Sequence, residues 1–507
     1  MIRRIASLLR RWLLPTSLPE LPLSAGRDAL FVRLLGLLYV VAFASLWPQI
    51  AGLFGNQGIL PTQMFLGSVA NTLGSRKYLM LPTLFWLSSD NTALQLVCGL
   101  GLCAGLAIGA LRLVWPMLLV AWLCHLSFLS VGGAFLSFQW DALLSEIGVI
   151  ALVAVPLRYR TPQPLVLVQI GRWLFVWLLF RLLFGSGWVK LASGDPTWRD
   201  LTALHYHFET QPLPTILGYY AHQLPSGIKQ ALVVFALLCE TLVPFLVFWP
   251  KMRVVALVPT VLLQLGIALT GNYGYFNWLA LLLALLLVPP SWLERLRPNP
   301  AADDDAESHQ PARPSLLFGL PRLAISTLLF SASLGHFLWT LRFRTDVPRP
   351  IHQAMKLVAP LQAVSHYGPF ASMTQSRPEL VIEGSIDGQT WREYPFRYKP
   401  GDLQRSPRWN APHQPRLDWQ MWFAALGRPS DSPWLEILLL RLLEGSKDVL
   451  WLFESDPFAG RKPRYLRVQH YQYRFTNLRQ KQETGAYFTR ESPLPFISPV
   501  GLTVADP

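Results

Sequence analysis

Lys190, Arg181, Asp141 and Glu146 lie at or inside long apolar runs, where an unpaired charge is expensive and each side chain needs either a partner or a task. They belong to two polar stretches, SFQWDALLSEIG at 137–148 and RLLFGSGWVKLASGDPTWRDLTALHYHFETQPLP at 181–214; a third, TGNYGYFNW, covers 270–278. If both stretches are helical at their apolar ends, Glu146 lies roughly 7 Å deeper than Asp141 and Arg181 about 13 Å deeper than Lys190. An intramembrane polar cluster of Gln139, Asp141, Glu146, Arg181 and Lys190 follows. One reading makes these residues ion pairs that lock a bundle. A second makes Lys190 a desolvated base, the single candidate catalytic residue. A third makes the cluster the wall of a lipid or small-ligand pocket.

The connection after Lys190 adds Asp195, Trp198, Arg199, Asp200, His205, His207 and Glu209. Histidine and carboxylate are metal-ligand types, but two histidines two residues apart fix no ligand geometry. The expected task is hydrogen bonding of the loop, and no metal is assigned. His125 reads as a satisfied bundle residue, and Glu240 as an isolated acid that must find a donor. The aromatic stretch 191–228 reads either as an interfacial cap or as the rim of a client site. Further on, APHQPRLDWQMWFAAL at 411–426 supplies His413, Arg416, Asp418, Trp419, Trp422 and Phe423. These fit a segment docking the tail on the membrane domain, or a client-binding surface rich in interface hot-spot residue types. GxSxG, Walker A, HExxH and Gly-rich dinucleotide motifs are all missing, which argues against the common soluble enzyme classes.

The elements that must position these residues follow from composition. The 507 residues are 52% hydrophobic and 15% charged, with mean hydropathy +0.31; soluble domains carry about a quarter charged residues. Apolar runs at 29–50, 92–111, 113–131, 136–157, 166–190, 229–249, 254–270, 275–290 and 321–341 predict a polytopic α-helical membrane protein of about nine spans. Lys plus Arg number 44 against 30 Asp plus Glu, a net charge of +14. The positive residues flank apolar runs, so they read as topology signals and not as a nucleic-acid surface. Arg3, Arg4, Arg10, Arg11, Arg27, Arg112, Arg158, Arg160, Lys251, Arg253, Arg295 and Arg297 all fall on one side of the predicted membrane, which puts the N-terminus in the cytoplasm. Segment 1–28 is basic and amphipathic. Its apolar stretch is short and followed by Pro15 and Pro19, so no removable signal peptide is expected.

Residues 29–341 form the predicted transmembrane domain, with a cytoplasmic linker at 298–314 whose proline, alanine and acids cannot build a core. The remainder, 342–507, reads as a soluble extracytoplasmic α+β domain, rich in β structure. Asp387-Gly388 marks a hairpin turn. Positions 465–475 alternate as a strand with one wet face. Residues 433–444 read as a helix between a cap at Ser432 or Asp431 and a stop at Gly445. The four cysteines, Cys98, Cys103, Cys124 and Cys239, all lie in apolar segments, so no disulfide framework is expected.

FLSFQWDALLSEIG, KLASGDPTWRDLTALHYHFETQPLP, GNYGYFNW, LVIEGSIDGQTWREYPFRYKPGD and APHQPRLDWQMWFAAL together closely resemble the lipase maturation factor family, from GLFGNQGILP at 52–61 to PRYLRVQHYQYRFT at 463–476. The resemblance implies a polytopic membrane protein with a lumenal C-terminal domain, acting as a chaperone-like maturation factor in the folding and assembly of secreted lipases. It implies a lipase client and membrane lipids as partners, and no cofactor. A fainter resemblance links GSGWVKLASGDPTWRDLTAL to the membrane domain of vitamin K-dependent γ-glutamyl carboxylase. That alternative implies an enzyme in which Lys190 is the base and a quinone-like molecule the cofactor. A lipid-binding structural membrane protein is the third possibility.

Overall fold

The structure, a computed structural model, describes residues 25–157, 165–294, 316–341 and 347–502. Most of segment 1–28 and the whole linker 298–314 lie outside these residues. The protein is a polytopic α-helical membrane protein carrying a C-terminal domain with a small antiparallel sheet. All nine apolar runs contain a helix: α1 (Ala25–Leu46), α2 (Asn91–Gly109), α3 (Val114–Val131), α4 (Gln139–Ala154), α5 (Gln169–Ala192), α6 (Ser226–Thr241), α7 (Arg253–Thr270), α8 (Phe276–Ala284) and α9 (Leu316–Thr340). Among the described residues, seven helices are long and apolar enough to cross a membrane; α4 and α8 are shorter. The difference at α4 is one of length: α4 stops at 16 residues, whereas the span of α6 runs on to Phe248. None of its residues is exposed, so it packs on protein all round. By contrast, α6 and α7 present Leu232, Leu238, Leu262 and Leu265 outward.

Close backbone approach joins α1 to α2. Gly101, Gly105 and Gly109 recur every fourth residue along one face of α2, the spacing that lets helices meet without side chains between them. A Cβ on Gly36 of α1 would sit 2.5 Å from the Gly109 nitrogen and 2.7 Å from the Gly105 oxygen.

The C-terminal domain begins with α10 (Arg349–Val358) packed on α9. Its sheet comprises β1 (Arg377–Ser385), β2 (Arg392–Glu393), β3 (Tyr465–Phe475), β4 (Phe488–Arg490) and β5 (Leu494–Val500). The order is β2-β1-β3-β4, with β5 also pairing β3. The turn at Asp387-Gly388 joins β1 to β2 as expected, and Asp387 accepts from the Gln389 and Thr390 N–H groups. These donors hold its carboxyl well below the usual carboxylate range. β3 departs from the expectation of one wet face. Leu466 and Val468 enter the main core, whereas Tyr471 and Tyr473 point the other way into a second cluster with Val381 and Phe488. Each face of the strand is therefore covered over half its length.

Between these strands lie α11 (Arg416–Ala425) and α12 (Pro433–Glu444). Gly445 ends α12 in the left-handed conformation, φ 72°, which glycine adopts without strain. Ser432 occupies the N-cap position but its side chain caps nothing, and Asp431 instead accepts from the Arg428 N–H.

Gly36→Leu is expected to lower the unfolding midpoint of the detergent-solubilised protein by an amount equivalent to about 2–4 kcal/mol, the overpacking and displacement range. Gly67→Leu, whose Cβ would meet nothing within 4 Å, is the matched control and should leave the midpoint unchanged.

Candidate functional site

Polar residues of the bundle are used chiefly to hold parts of the C-terminal domain. A strap at 363–374 crosses the top of α4 and α5. Glu146 is bonded to Arg181, and its second oxygen accepts from Tyr367 Oη at 2.7 Å and the Ser365 N–H at 3.2 Å. Arg181 in turn donates to the Ser365 carbonyl. Gln139 accepts from the Gly368 N–H, Trp198 donates to the Phe370 carbonyl, and Asp195 accepts from the Met373 N–H at 2.6 Å. Of the four residues expected to pair within one buried layer, Glu146 and Arg181 meet, and they bind chain that lies 219 and 184 residues further on.

Asp141 pairs with neither Lys190 nor Arg181. Its carboxylate takes both terminal nitrogens of Arg416 at 2.8 Å, and Tyr275 Oη donates to it at 2.5 Å. Arg416 also donates to the Phe135 carbonyl at 2.7 Å, and both charged side chains are essentially inaccessible to solvent. Beside them, Gln49 accepts from the Arg416 N–H and donates to the Gln414 carbonyl, while Ser45 bonds His413 Nδ1. His125 is satisfied by the Asp141 carbonyl at 3.0 Å, as expected for a bundle residue.

A cavity of about 1110 Å³ lies between the bundle, the 191–228 connection and α11. Its walls include Lys190, Glu240, His207, Tyr273, Trp419 and Trp422. Lys190 Nζ donates to Glu240 at 2.5 Å and stands 5.3 Å from the Trp198 ring centroid. Glu240 thus finds its donor, and Lys190 is engaged as a cation. Tyr273 Oη bonds Gln211 at 2.9 Å and approaches His207 Nε2 at 3.2 Å. Enclosure by protein, with Lys190 nearby, lowers the His207 pKa to about 4, so its imidazole is neutral at pH 7.

The candidate metal ligands disperse. His205 bonds Thr202 and Ser226, and Asp195 caps the short helix Pro196–Arg199. Glu209 accepts from the Phe475 N–H. Arg199 and Asp200 are exposed. Among the described residues, no three His, Cys, Asp or Glu side chains converge.

Residues 27–295 match the family described as lipase maturation factor transmembrane domain, and residues 363–497 that described as lipase maturation factor C-terminal domain. The chain belongs to the lipase maturation factor family. It is 34% identical to lipase maturation factor 2 of Gallus gallus over 94% of this chain and 81% of that protein. Lipase maturation factor 2 of Homo sapiens is 35% identical over 93% and 82%. Lipase maturation factor 1 of Mus musculus is 30% identical over 93% and 86%. No solved structure matches.

The C-terminal family match starts at 363, the first residue of the strap that bonds to Glu146 and Arg181. Of the six candidates for docking or client binding, Arg416 and Trp419 are buried against the bundle, Asp418 is buried within the C-terminal domain, and His413 is tied to Ser45. Asp418 accepts from the Tyr398 and Lys399 N–H groups, but burial dominates and raises its pKa. Trp422 is buried and lines the cavity, and Phe423, also at the cavity wall, is 45% exposed. The packing fits the docking reading of 411–426, with the end of α11 left outside the contact. Sequence reasoning missed Ser45, Gln49, Tyr275, Tyr367 and Asn272. Asn272 holds the Leu213 and Arg408 carbonyls and the Asn410 and Ala411 N–H groups; its position in TGNYGYFNW was the available signal.

Asp141→Ala and Arg416→Ala are each expected to destabilise by about 3–5 kcal/mol, because each strands a buried charge. The double variant should lose much less than the sum, read as non-additive unfolding midpoints. Burial also lowers the His413 pKa to about 4, helped by Arg416. Depressed histidines contribute stability that is fully present above their unfolded pKa, about 6.5, and lost as pH falls through the folded value. The unfolding midpoint should therefore drop between about pH 6.5 and 4, with a shallower slope in a His207→Asn, His413→Asn variant.

Proposed function

We propose that this protein is a membrane-anchored maturation factor that assists the folding and assembly of secreted lipases, with its C-terminal domain on the extracytoplasmic face. The observation that carries the reading is family membership over most of the chain. The orientation rests on the one-sided distribution of Arg and Lys around the spans. In a bacterium that face is periplasmic, and in an endoplasmic reticulum it is lumenal. A maturation factor works by holding incompletely packed apolar surface and releasing it. Phe423 and Leu426, both exposed at the rim of the cavity, and Trp409 on the same domain supply such surface.

The carboxylase-like alternative needs Lys190 as a free amine base. In the structure its Nζ is bonded to Glu240 and packed near Trp198, an arrangement better suited to holding two segments together than to taking a proton. The two readings separate in cells lacking the protein and complemented with variants. Maturation predicts that Lys190→Met retains secreted lipase activity at the level its folding allows, whereas Phe423→Arg with Leu426→Arg lowers activity several-fold at unchanged lipase transcript. Unchanged secreted lipase activity on deletion of the protein itself would sink the proposal.

A further inference from the structure

The cavity is open on a second side, away from the tail. Leu232 of α6 and Leu262 and Gly266 of α7 line it, yet all three also face outward, Leu232 at 38% and Leu262 at 57% exposure. A Cβ on Gly266 would meet nothing within 4 Å. The two spans are joined at one end, where residues 243–246 pack on α7 and Cys239 bonds the Pro259 carbonyl, and α6 touches α7 only sparsely towards its Ser226 end; α6 and α7 pack more closely on α5 and α8 respectively. Both flank helices are apolar and long enough to cross a membrane. The gap between them is therefore a lateral portal from bilayer to cavity.

Charge and hydrogen bonding select what would pass through it. Lys190 and Glu240 neutralise each other, so the inner wall offers no uncompensated cation for a phosphate or carboxylate. It does offer neutral partners. Asn277 Nδ2 donates to Gln264 Oε1 at 2.8 Å, which leaves the Gln264 amide N–H and the Asn277 amide carbonyl uncommitted among the described residues. Both residues line the cavity and both are more than nine-tenths buried. Gln139, which also lines it, spends its carbonyl on the Gly368 N–H and keeps its own amide N–H. One acceptor and two sets of donors, set in a wall of Leu, Phe and Trp, match a hydroxyl and ester carbonyls carried on hydrocarbon chains.

We infer that this cavity binds an uncharged glycerolipid of the diacylglycerol class, taken from the bilayer between α6 and α7, with its hydroxyl and ester groups at Gln264, Asn277 and Gln139. The site is independent of the maturation reading, since it is tested on purified protein with no lipase present.

The full chain is placed in phosphatidylcholine nanodiscs containing a small fraction of dioleoylglycerol, and the lipid retained after delipidating exchange is measured by native mass spectrometry. Wild type should retain dioleoylglycerol selectively over phosphatidylcholine. Gly266→Trp, which plugs the portal in a position with room for a side chain, should reduce retention about tenfold, or about 1.4 kcal/mol. Should that variant fold poorly, Leu262→Trp at an already exposed position tests the same portal. Gln264→Leu with Asn277→Leu should abolish the preference for dioleoylglycerol while leaving some bound hydrocarbon. Retention equal in wild type and both portal variants, binding of phosphatidylcholine in proportion to the bulk, or a peptide found in place of lipid would each overturn the inference.

Discussion

Arg416 is a guanidinium from the C-terminal domain buried against a carboxylate at the start of α4. Moving such charges out of water costs several kcal/mol per ion, and only a fully bonded partner offsets it. The protein meets that condition with Asp141, Tyr275, and the Phe135 carbonyl. One interaction thereby fixes α4, the start of α8, the turn before α4 and the tail in a single arrangement. Glu146 with Arg181 and Tyr367 repeats the device deeper in the bundle. These residues explain why the two regions form one body: the apolar contact around them supplies attraction without direction, and the ion pairs supply the register.

Much of this architecture is readable from residue type and spacing. Each of the nine apolar runs contains a helix, seven of them of membrane length because a span is a length of hydrocarbon-compatible helix, and the glycines at every fourth position of α2 sit where a neighbour comes close. The partners of buried charges are a different matter. Asp141 and Arg416 are 275 residues apart, and nothing local in either segment names the other. Depth along a helix placed Glu146 near Arg181, because both lie in consecutive spans and rise per residue is fixed. The same arithmetic set Asp141 beside Lys190 at the outer ends. Depth does not choose partners: the tail supplies Asp141 with a guanidinium that binds both carboxylate oxygens at once.

In the aromatic segment 411–426, composition alone does not separate docking on the same chain from binding of another. Trp, Arg and Phe are frequent at interface hot spots, and an intramolecular docking surface uses the same residues for the same reason. Trp419 packs edge-on against Trp140 at 4.8 Å and against Tyr273 at 5.8 Å, and Arg416 is inside the bundle. The segment is an interface whose partner is the same chain, which leaves only its last turn, with Phe423 and Leu426, for anything else.

The cavity is the consequence of that docking. Its walls are held apart by fixed contacts: the strap above α5, the Arg377 guanidinium bonded to the Glu209, Gln211 and Pro212 carbonyls, and the Lys190–Glu240 pair. Protein interiors are otherwise close-packed. The space held open, about 1110 Å³, stands at the upper end of the size of ligand pockets, roughly 300–1,000 Å³. Its wall is mainly apolar in area, with polar groups such as Gln139, Gln264 and Asn277 set among Leu, Phe and Trp side chains. Hydrocarbon meets those walls without loss, and the bilayer that supplies it begins at the gap between α6 and α7.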